Sequence, residues 1–410
     1  MKPKGKILIL ANEFYPQICV GGLGKFVAGI DKGLSNNGWE VRNFIASKKD
    51  NIYLPYYSAE NEKRSKTLAR KAWFWCSQHS WFPDWLWTQD FEGIYEAEEW
   101  RKSSKGRGRI IWTIHNPVTL NGATGYGYGY ANQEGEGEPI DWGNDFFDFA
   151  GLLRRGMAAA DLVTTVSPTF ARELDGFLSL SKDEKIIGIN NGIDKSEWDP
   201  YRDSLLGFRL RGNWVEFKKI NREILQALFG LPPKEVPVFA FVSRLVPQKG
   251  IELLTKALPE FLGKNEMQLV IVGQGLAKYH RFFTELKLAF PDKVGLSLGA
   301  DFSLPHQVFA GADFLLLPSL SEPFGIVVAE ARSYGAVPLV RRTGGLADQV
   351  ADGINGLSFN KFESESLSAK ISQALKLWQT DWWWQVSSSG KNRVEDWQGV
   401  ARNYEDLLIH

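Results

Sequence analysis

The feature that most constrains this chain is a recurring unit. A short apolar run ends at a sharp turn rich in Gly or Pro, and a stretch with helical periodicity follows. The first run is Lys6-Ile7-Leu8-Ile9-Leu10-Ala11, followed by a helical pattern from about Leu23 to Asn37. Val41–Ala46, Trp85–Trp87, Ile110–Ile114 and Leu162–Val166 continue the series. After Pro232-Pro233 it restarts with Val238–Val242, a helix over Gly250–Leu262, then Leu269–Val272, Phe314–Leu317 and Val337–Val340. Strands joined by helices pair in parallel, because a parallel neighbour needs a long crossover. The expected fold class is therefore α/β, with two Rossmann-like domains. The Pro pair and the polar stretch before it place the break near 212–235. This gives an N-terminal domain over 1–212, a second over 213–390, and a C-terminal segment 391–410, helical from about Val394, expected to return to the first domain. Ligands of such sheets bind beyond the strand carboxyl ends, so a deep cleft between the two domains is expected.

Composition narrows the function classes. Lys plus Arg number 48 and Asp plus Glu number 48 among 410 residues, so the net charge is zero. That balance argues against a general nucleic-acid or anionic-membrane binder. The two cysteines, Cys19 and Cys76, offer neither a disulfide framework nor a zinc spacing and suit a reducing compartment. The N-terminal apolar run is too short for a signal segment or a membrane span. A cytoplasmic location is expected, or a plastid stroma in a eukaryote. Of 16 tryptophans, Trp73, Trp75, Trp81, Trp85, Trp87, Trp100, Trp112 and Trp142 fall in one stretch. Such rings either stack on sugar faces or fill a core. The Gly- and Tyr-rich segment Asn121–Glu138 shows no element, as is common for functional loops.

Three motifs in the second half carry chemistry. In Ser243–Gly250, Arg244 and Lys249 stand five positions apart at a strand's carboxyl end. Two cations there can grip a diphosphate and stabilise the charge that grows as it leaves. For an isolated Arg-x4-Lys, a solvated loop is the plainer account. Glu322, in Ser321-Glu322-Pro323-Phe324-Gly325, stands at the mouth of the Phe314–Leu317 strand, where a carboxylate can accept sugar hydroxyls or stabilise positive charge at an anomeric carbon. Glu330 is expected two turns along the same helix on roughly the same face, within reach of a ribose, or else as a buried carboxylate paired with a cation. The third motif, Arg341–Asp348, is a strand end, two glycines and a helix start. It is expected to present open N–H groups and the positive end of a helix dipole to phosphate. Val20-Gly21-Gly22-Leu23-Gly24-Lys25 forms a similar turn in the first half.

In order along the chain, these motifs resemble the glycogen and starch synthases, retaining glucosyltransferases of GT-B architecture. The resemblance also includes Thr113-Ile114-His115-Asn116, Thr164–Pro168, Asn190–Asp194 with Trp198-Asp199-Pro200, and Leu339–Asp348. It implies that Arg244 and Lys249 hold the donor's distal phosphates and that Glu322 contacts the donor glucose. It also implies that His115 and Asn191 lie beside the transferred sugar, and that Gly21, Gly22 and Thr343–Leu346 cradle the diphosphate. Asp90 matches the aspartate of an acceptor-side motif, and Glu330 the second member of a Glu-x7-Glu pair in related transferases. There are departures. Cys19 replaces the Lys of a Lys-x-Gly-Gly motif, with Lys25 a partial substitute. Trp87-Thr88-Gln89 replaces the His-containing context of Asp90, and the segment before Asp90 is short.

The resemblance implies front-side displacement with retention, glucose passing from ADP-glucose or UDP-glucose to the non-reducing end of an α-1,4-glucan. No cofactor and no metal are required, because Arg and Lys carry the charge. The partners are a nucleotide sugar and a glucan or oligosaccharide, with no nucleic acid and no membrane span; the oligomeric state stays open. Two other functions stay open: a hexosyltransferase acting on a small or lipid-linked acceptor, and a glucan-binding protein with a weakened donor site. A phosphorylase is disfavoured, since no lysine motif suits a pyridoxal cofactor.

Overall fold

The computed structural model describes residues 2–16, 22–46, 59–116, 126–127, 140–141, 149–181, 184–299, 301 and 303–409. The chain forms two compact units. The first takes the described residues up to Gly192 together with those from Glu395 onward; Ile193–Val394 belong to the second. The units part at Gly192–Ile193, ahead of the position 212 suggested by the Pro pair. The reason is apolar burial: Ile193, Trp198, Leu206 and Leu210 join the second unit's core alongside Phe217 and Leu225.

The first unit contains β1 (Lys6–Ala11), α1 (Gly22–Asn36), β2 (Glu40–Ile45), α2 (Ala59–Gln78), β3 (Trp85–Gln89), α3 (Asp90–Ser104) and β4 (Arg109–Ile114). The short pair β5 (Tyr126–Gly127) and β6 (Ile140–Asp141) follows, then α4 (Phe149–Ala159), β7 (Leu162–Thr165), α5 (Pro168–Leu178) and β8 (Ile187–Gly188). Its main sheet is parallel, in the order β2-β1-β3-β4-β7-β8. Strand order therefore reverses between β1 and β3.

The second unit begins with α6 (Trp214–Leu228) and β9 (Val238–Val242), followed by α7 (Ile251–Lys264), β10 (Gln268–Val272), α8 (Ala277–Ala289) and β11 (Val294–Ser297). Then come α9 (Leu304–Gly311), β12 (Phe314–Leu317), α10 (Ile326–Ser333), β13 (Val337–Arg341), α11 (Gly344–Gln349), β14 (Leu357–Phe359), α12 (Ser364–Leu377) and α13 (Asp381–Ser389). The parallel sheet runs β11-β10-β9-β12-β13-β14. This is the dinucleotide-binding strand order, with its reversal between β9 and β12. The last helix, α14 (Trp397–Ile409), belongs to the first unit. There Trp397 and Tyr404 pack edge-on against Phe26 of α1, with ring centroids 5.8 and 6.2 Å away.

A repeated device fixes strand register. An aspartate just before a strand accepts the first or second backbone N–H of the neighbouring strand. Asp84 takes Lys6 N at 2.8 Å, Asp161 takes Ile110 N at 2.6 Å, and Asp313 takes Val238 N at 2.8 Å. Asp313 is fully buried and is paired at 2.9 Å with Arg222 of α6. This tethers β9 to β12 at one end, so their opposite, carboxyl ends emerge side by side. The apolar runs are buried as continuous stretches, as parallel strands covered on both faces require. Of the clustered tryptophans, Trp81, Trp85, Trp87, Trp100 and Trp112 are core residues, and Trp73 and Trp75 are half-buried. Trp142 and most of Asn121–Glu138 lie outside the described residues. Among the described residues no helix is long and apolar enough to cross a membrane.

Gly250 closes the turn after β9 with φ of 73°, and a Cβ there would lie 1.9 Å from Pro318 O at the end of β12. Both the torsion and the approach forbid a side chain. Gly250→Ala is expected to cost about 1–3 kcal/mol by straining this turn, seen as a lower urea midpoint. An unchanged midpoint would show that the two strand ends are not held this closely.

Candidate active site

In the second unit, three sequence motifs meet at the β9/β12 reversal. After β9 the chain passes through half-buried Arg244 and a one-turn 3-10 segment, Pro247–Lys249. After β12 it turns through Pro318–Gly325 into α10. Leu320 N donates to Gln248 O at 2.8 Å, joining the two turns. The Lys249 ammonium then donates to Glu322 Oε2 at 2.6 Å, with both side chains only about a tenth exposed. Ser319 Oγ donates to the same oxygen at 3.2 Å. Each charge is desolvated, so each depends on the other; removing either would leave a buried unpaired ion.

The third motif comes from β13. Gly344 has φ of 44°, and a Cβ there would meet Glu322 O at 2.1 Å, so only glycine lets this turn lie against the Glu322 peptide. Gly345 N donates to Glu322 O and Pro323 O, both at 3.0 Å, and Leu346 N to Thr343 O at 3.1 Å. The expectation of open N–H groups is thus corrected at Gly345 and Leu346, whose amides close the turn itself. Thr343 is buried at the start of this turn. A second correction concerns Glu330. Helix α10 begins at Ile326, so Glu322 is in the preceding turn and no shared helix face relates the two. Glu330 is buried one turn into α10.

In the first unit, the β1/β3 reversal holds Asp90. Its carboxylate Oδ1 accepts His115 N at 2.6 Å and Asn116 N at 3.1 Å, so Asp90 ties the start of α3 to the turn after β4. Burial pushes the Asp90 carboxyl up to about 7; the two backbone donors oppose this, and the nearby Glu92 charge adds to it. The His115 ring sits edge-on to Phe26 at 4.6 Å, with Nε2 bonded to Gln89 Oε1 at 2.8 Å. With that acceptor, Nε2 carries the proton. Burial lowers the His115 pKa to about 3, so the ring is neutral at physiological pH. Asn191 is buried after β8, and among the described residues its Oδ1 has no hydrogen-bond partner. Gly22 opens α1 with no heavy atom of the described residues within 4 Å of a Cβ built on it, and Lys25 Nζ lies 5.9 Å over the Tyr15 ring. Gly21 and Cys19 lie outside the described residues.

Sequence reasoning missed two partners. Gln89 pairs in register with Thr113, which places it beside His115 two residues later; the order of neighbouring strands was the missing signal. Ser319 precedes Glu322 by three residues in a turn, a spacing that carries no marker without the turn's geometry.

Asp90 also yields a pH prediction. Its folded pKa, near 7, lies above the unfolded value of about 3.9. Its contribution to stability is therefore complete below about pH 4 and is lost as pH rises through 7. Urea midpoints should fall from pH 5 to pH 8, and Asp90→Asn should shrink that fall. An identical pH dependence in the variant would contradict the assignment.

Comparison with known proteins identifies the family. Residues 43–178 match the family model described as starch synthase catalytic domain, and residues 229–382 match that of glycosyl transferases group 1. The glycogen synthase of Geobacillus thermodenitrificans is 34% identical over 316 residues, covering 72% of this chain and 64% of that protein. The glycogen synthase of Pseudomonas fluorescens is 37% identical over 315 residues, covering 73% and 63%. The chain thus spans just under two thirds of the length of these relatives. Among solved structures, the catalytic domain of starch synthase IV from Arabidopsis thaliana, bound to ADP and acarbose, superposes with a TM-score of 0.81 at 24% identity over 99% of both chains. Sucrose-phosphate synthase from Thermosynechococcus elongatus gives 0.71 at 18% identity over 98% of both. The fold is GT-B, and with two family models matched in order along it and glycogen synthases at about a third identity, the chain belongs to the glycogen and starch synthase family of glycosyltransferases.

Proposed function

We propose that this protein transfers glucose, with retention, from a nucleoside-diphosphate glucose to the non-reducing end of an α-1,4-glucan, ADP-glucose being the favoured donor. The observation that carries the reading is the convergence of Arg244, Lys249 and Glu322 at the strand-order reversal of a dinucleotide-type sheet. Arg244 and Lys249 take up charge on the departing diphosphate. Glu322 accepts hydroxyls of the donor glucose. The Thr343–Leu346 turn lets a phosphate approach the backbone closely, and Glu330 is assigned to the ribose. In the transfer, the bond from the anomeric carbon to the diphosphate oxygen breaks and a bond to the acceptor oxygen forms on the same face. The acceptor proton goes to the leaving phosphate oxygen. His115, held neutral, and Asn191 are assigned to the transferred sugar, and Asp90 to the acceptor side. A cytoplasmic location follows the same reading.

The glucan-binding alternative loses its main support, because most of the clustered rings are buried rather than displayed. A small or lipid-linked acceptor would show itself as a single addition rather than chain extension.

The test crosses ADP-glucose and UDP-glucose with glycogen, maltose and no acceptor, and follows nucleoside diphosphate release. ADP-glucose with glycogen is expected to be fastest; no release with any pair would overturn the reading. Lys249→Ala and Arg244→Ala should each lower turnover by about 10²-fold or more. Activity within a few-fold of the parent in both would remove the two cations from the mechanism.

A further inference from the structure

We infer that Ser319 and Arg341 are positioning residues that fix which oxygen of Glu322 meets the donor sugar. The inference rests on the reading of Glu322 as the sugar-contacting carboxylate. Oxygen Oε2 of Glu322 is already occupied, by Lys249 Nζ at 2.6 Å and by Ser319 Oγ at 3.2 Å. Among the described residues Oε1 has no hydrogen-bond partner. The carboxylate is thus oriented, one oxygen held and the other left to accept from a ligand.

A single ammonium does not lock a carboxylate, since Lys is a flexible point charge on a four-carbon stem. The second donor, Ser319, is fully buried on a turn, and its placement depends on that turn. Arg341, at the end of β13, supplies the brace. Its Nε donates to Ser319 O at 2.7 Å, its Nη2 to Leu320 O, and its Nη1 to Asn360 O at 3.3 Å. The rigid guanidinium fork holds the Ser319–Leu320 peptides against β13 and the start of the segment after β14. The Phe362 ring lies below it, 5.6 Å from the guanidinium carbon. Arg341 therefore acts two steps from the sugar: it sets the turn, the turn sets Ser319, and Ser319 sets Glu322.

The test separates sugar from nucleotide. Ser319→Ala should lower kcat/KM for the nucleoside-diphosphate glucose about 10-fold, the size of one lost hydrogen bond to a charged group. Inhibition by the free nucleoside diphosphate should change less than about 2-fold, on the same accounting. Ser319→Thr restores the hydroxyl and should recover most of the loss. If Thr does not fit, Ser319→Cys gives the intermediate case. Arg341→Ala should shift kcat/KM in the same direction. The double variant Ser319→Ala/Glu322→Gln should be no slower than Glu322→Gln alone, because both act through one carboxylate. Additive losses, or an equal loss of nucleoside diphosphate affinity, would overturn the inference. Failure of the underlying reading looks different: Glu322→Gln itself would retain parental turnover. If Glu322→Gln abolishes turnover while Ser319→Ala is unchanged, only the positioning claim falls.

Discussion

The contact between the Lys249 ammonium and the Glu322 carboxylate is the constraint around which the second unit's site is arranged. It joins residues 73 positions apart in sequence. It forms only because β9 and β12, neighbours in the sheet, release their chains side by side. Burial makes the pair exacting: two desolvated ions are tolerated when their geometry is good and their remaining valences are used. The surrounding backbone sets the geometry, and Ser319 Oγ uses one further valence of Glu322 Oε2. Gly250 brings the Lys249 turn onto Pro318, Gly344 brings the β13 turn onto the Glu322 peptide, and the Gly345 amide closes the third side. A cation and a carboxylate are thereby offered together, one suited to phosphate and the other to sugar hydroxyls.

The first unit's reversal point is built from different electrostatic material. It holds a carboxyl raised toward neutrality and an imidazole kept neutral. Behind Asp90 on α3, burial also raises the carboxyls of Glu92 and Glu96. Asp90 does its structural work through hydrogen bonds, holding the His115 and Asn116 amides and so the turn that carries the ring.

Most strands were legible as continuous apolar runs, because a parallel strand covered on both faces has no polar side to interrupt it. The Gly344 turn was legible for a related reason: close backbone approach admits no other residue, whereas Gly250, read as the first residue of a helix, is the turn before it. What escaped depended on strand order or on local turn length. Gln89 partners His115 through the β3/β4 register, and Ser319 partners Glu322 through a turn whose shape no spacing rule encodes. The supposed common face of Glu322 and Glu330 failed because α10 starts four residues after Glu322. The tryptophan cluster was ambiguous in principle, since an indole that packs a core and one that stacks on a sugar look alike in sequence.

The interleaving of the two units has a consequence for how the molecule is made. Residues 193–394 supply the whole described second core in one continuous stretch, so that core can form as soon as it has been synthesised. The first unit must wait for Trp397–Ile409, because α14 supplies Trp397, Val400, Tyr404 and Leu408 to its interior. Until then the α1 face around Phe26 stays uncovered, a contact of very long sequence separation left to close last. On the ribosome, the unit begun first is the one completed second, and the nascent chain carries an apolar surface in need of shielding for the time it takes to translate the other unit.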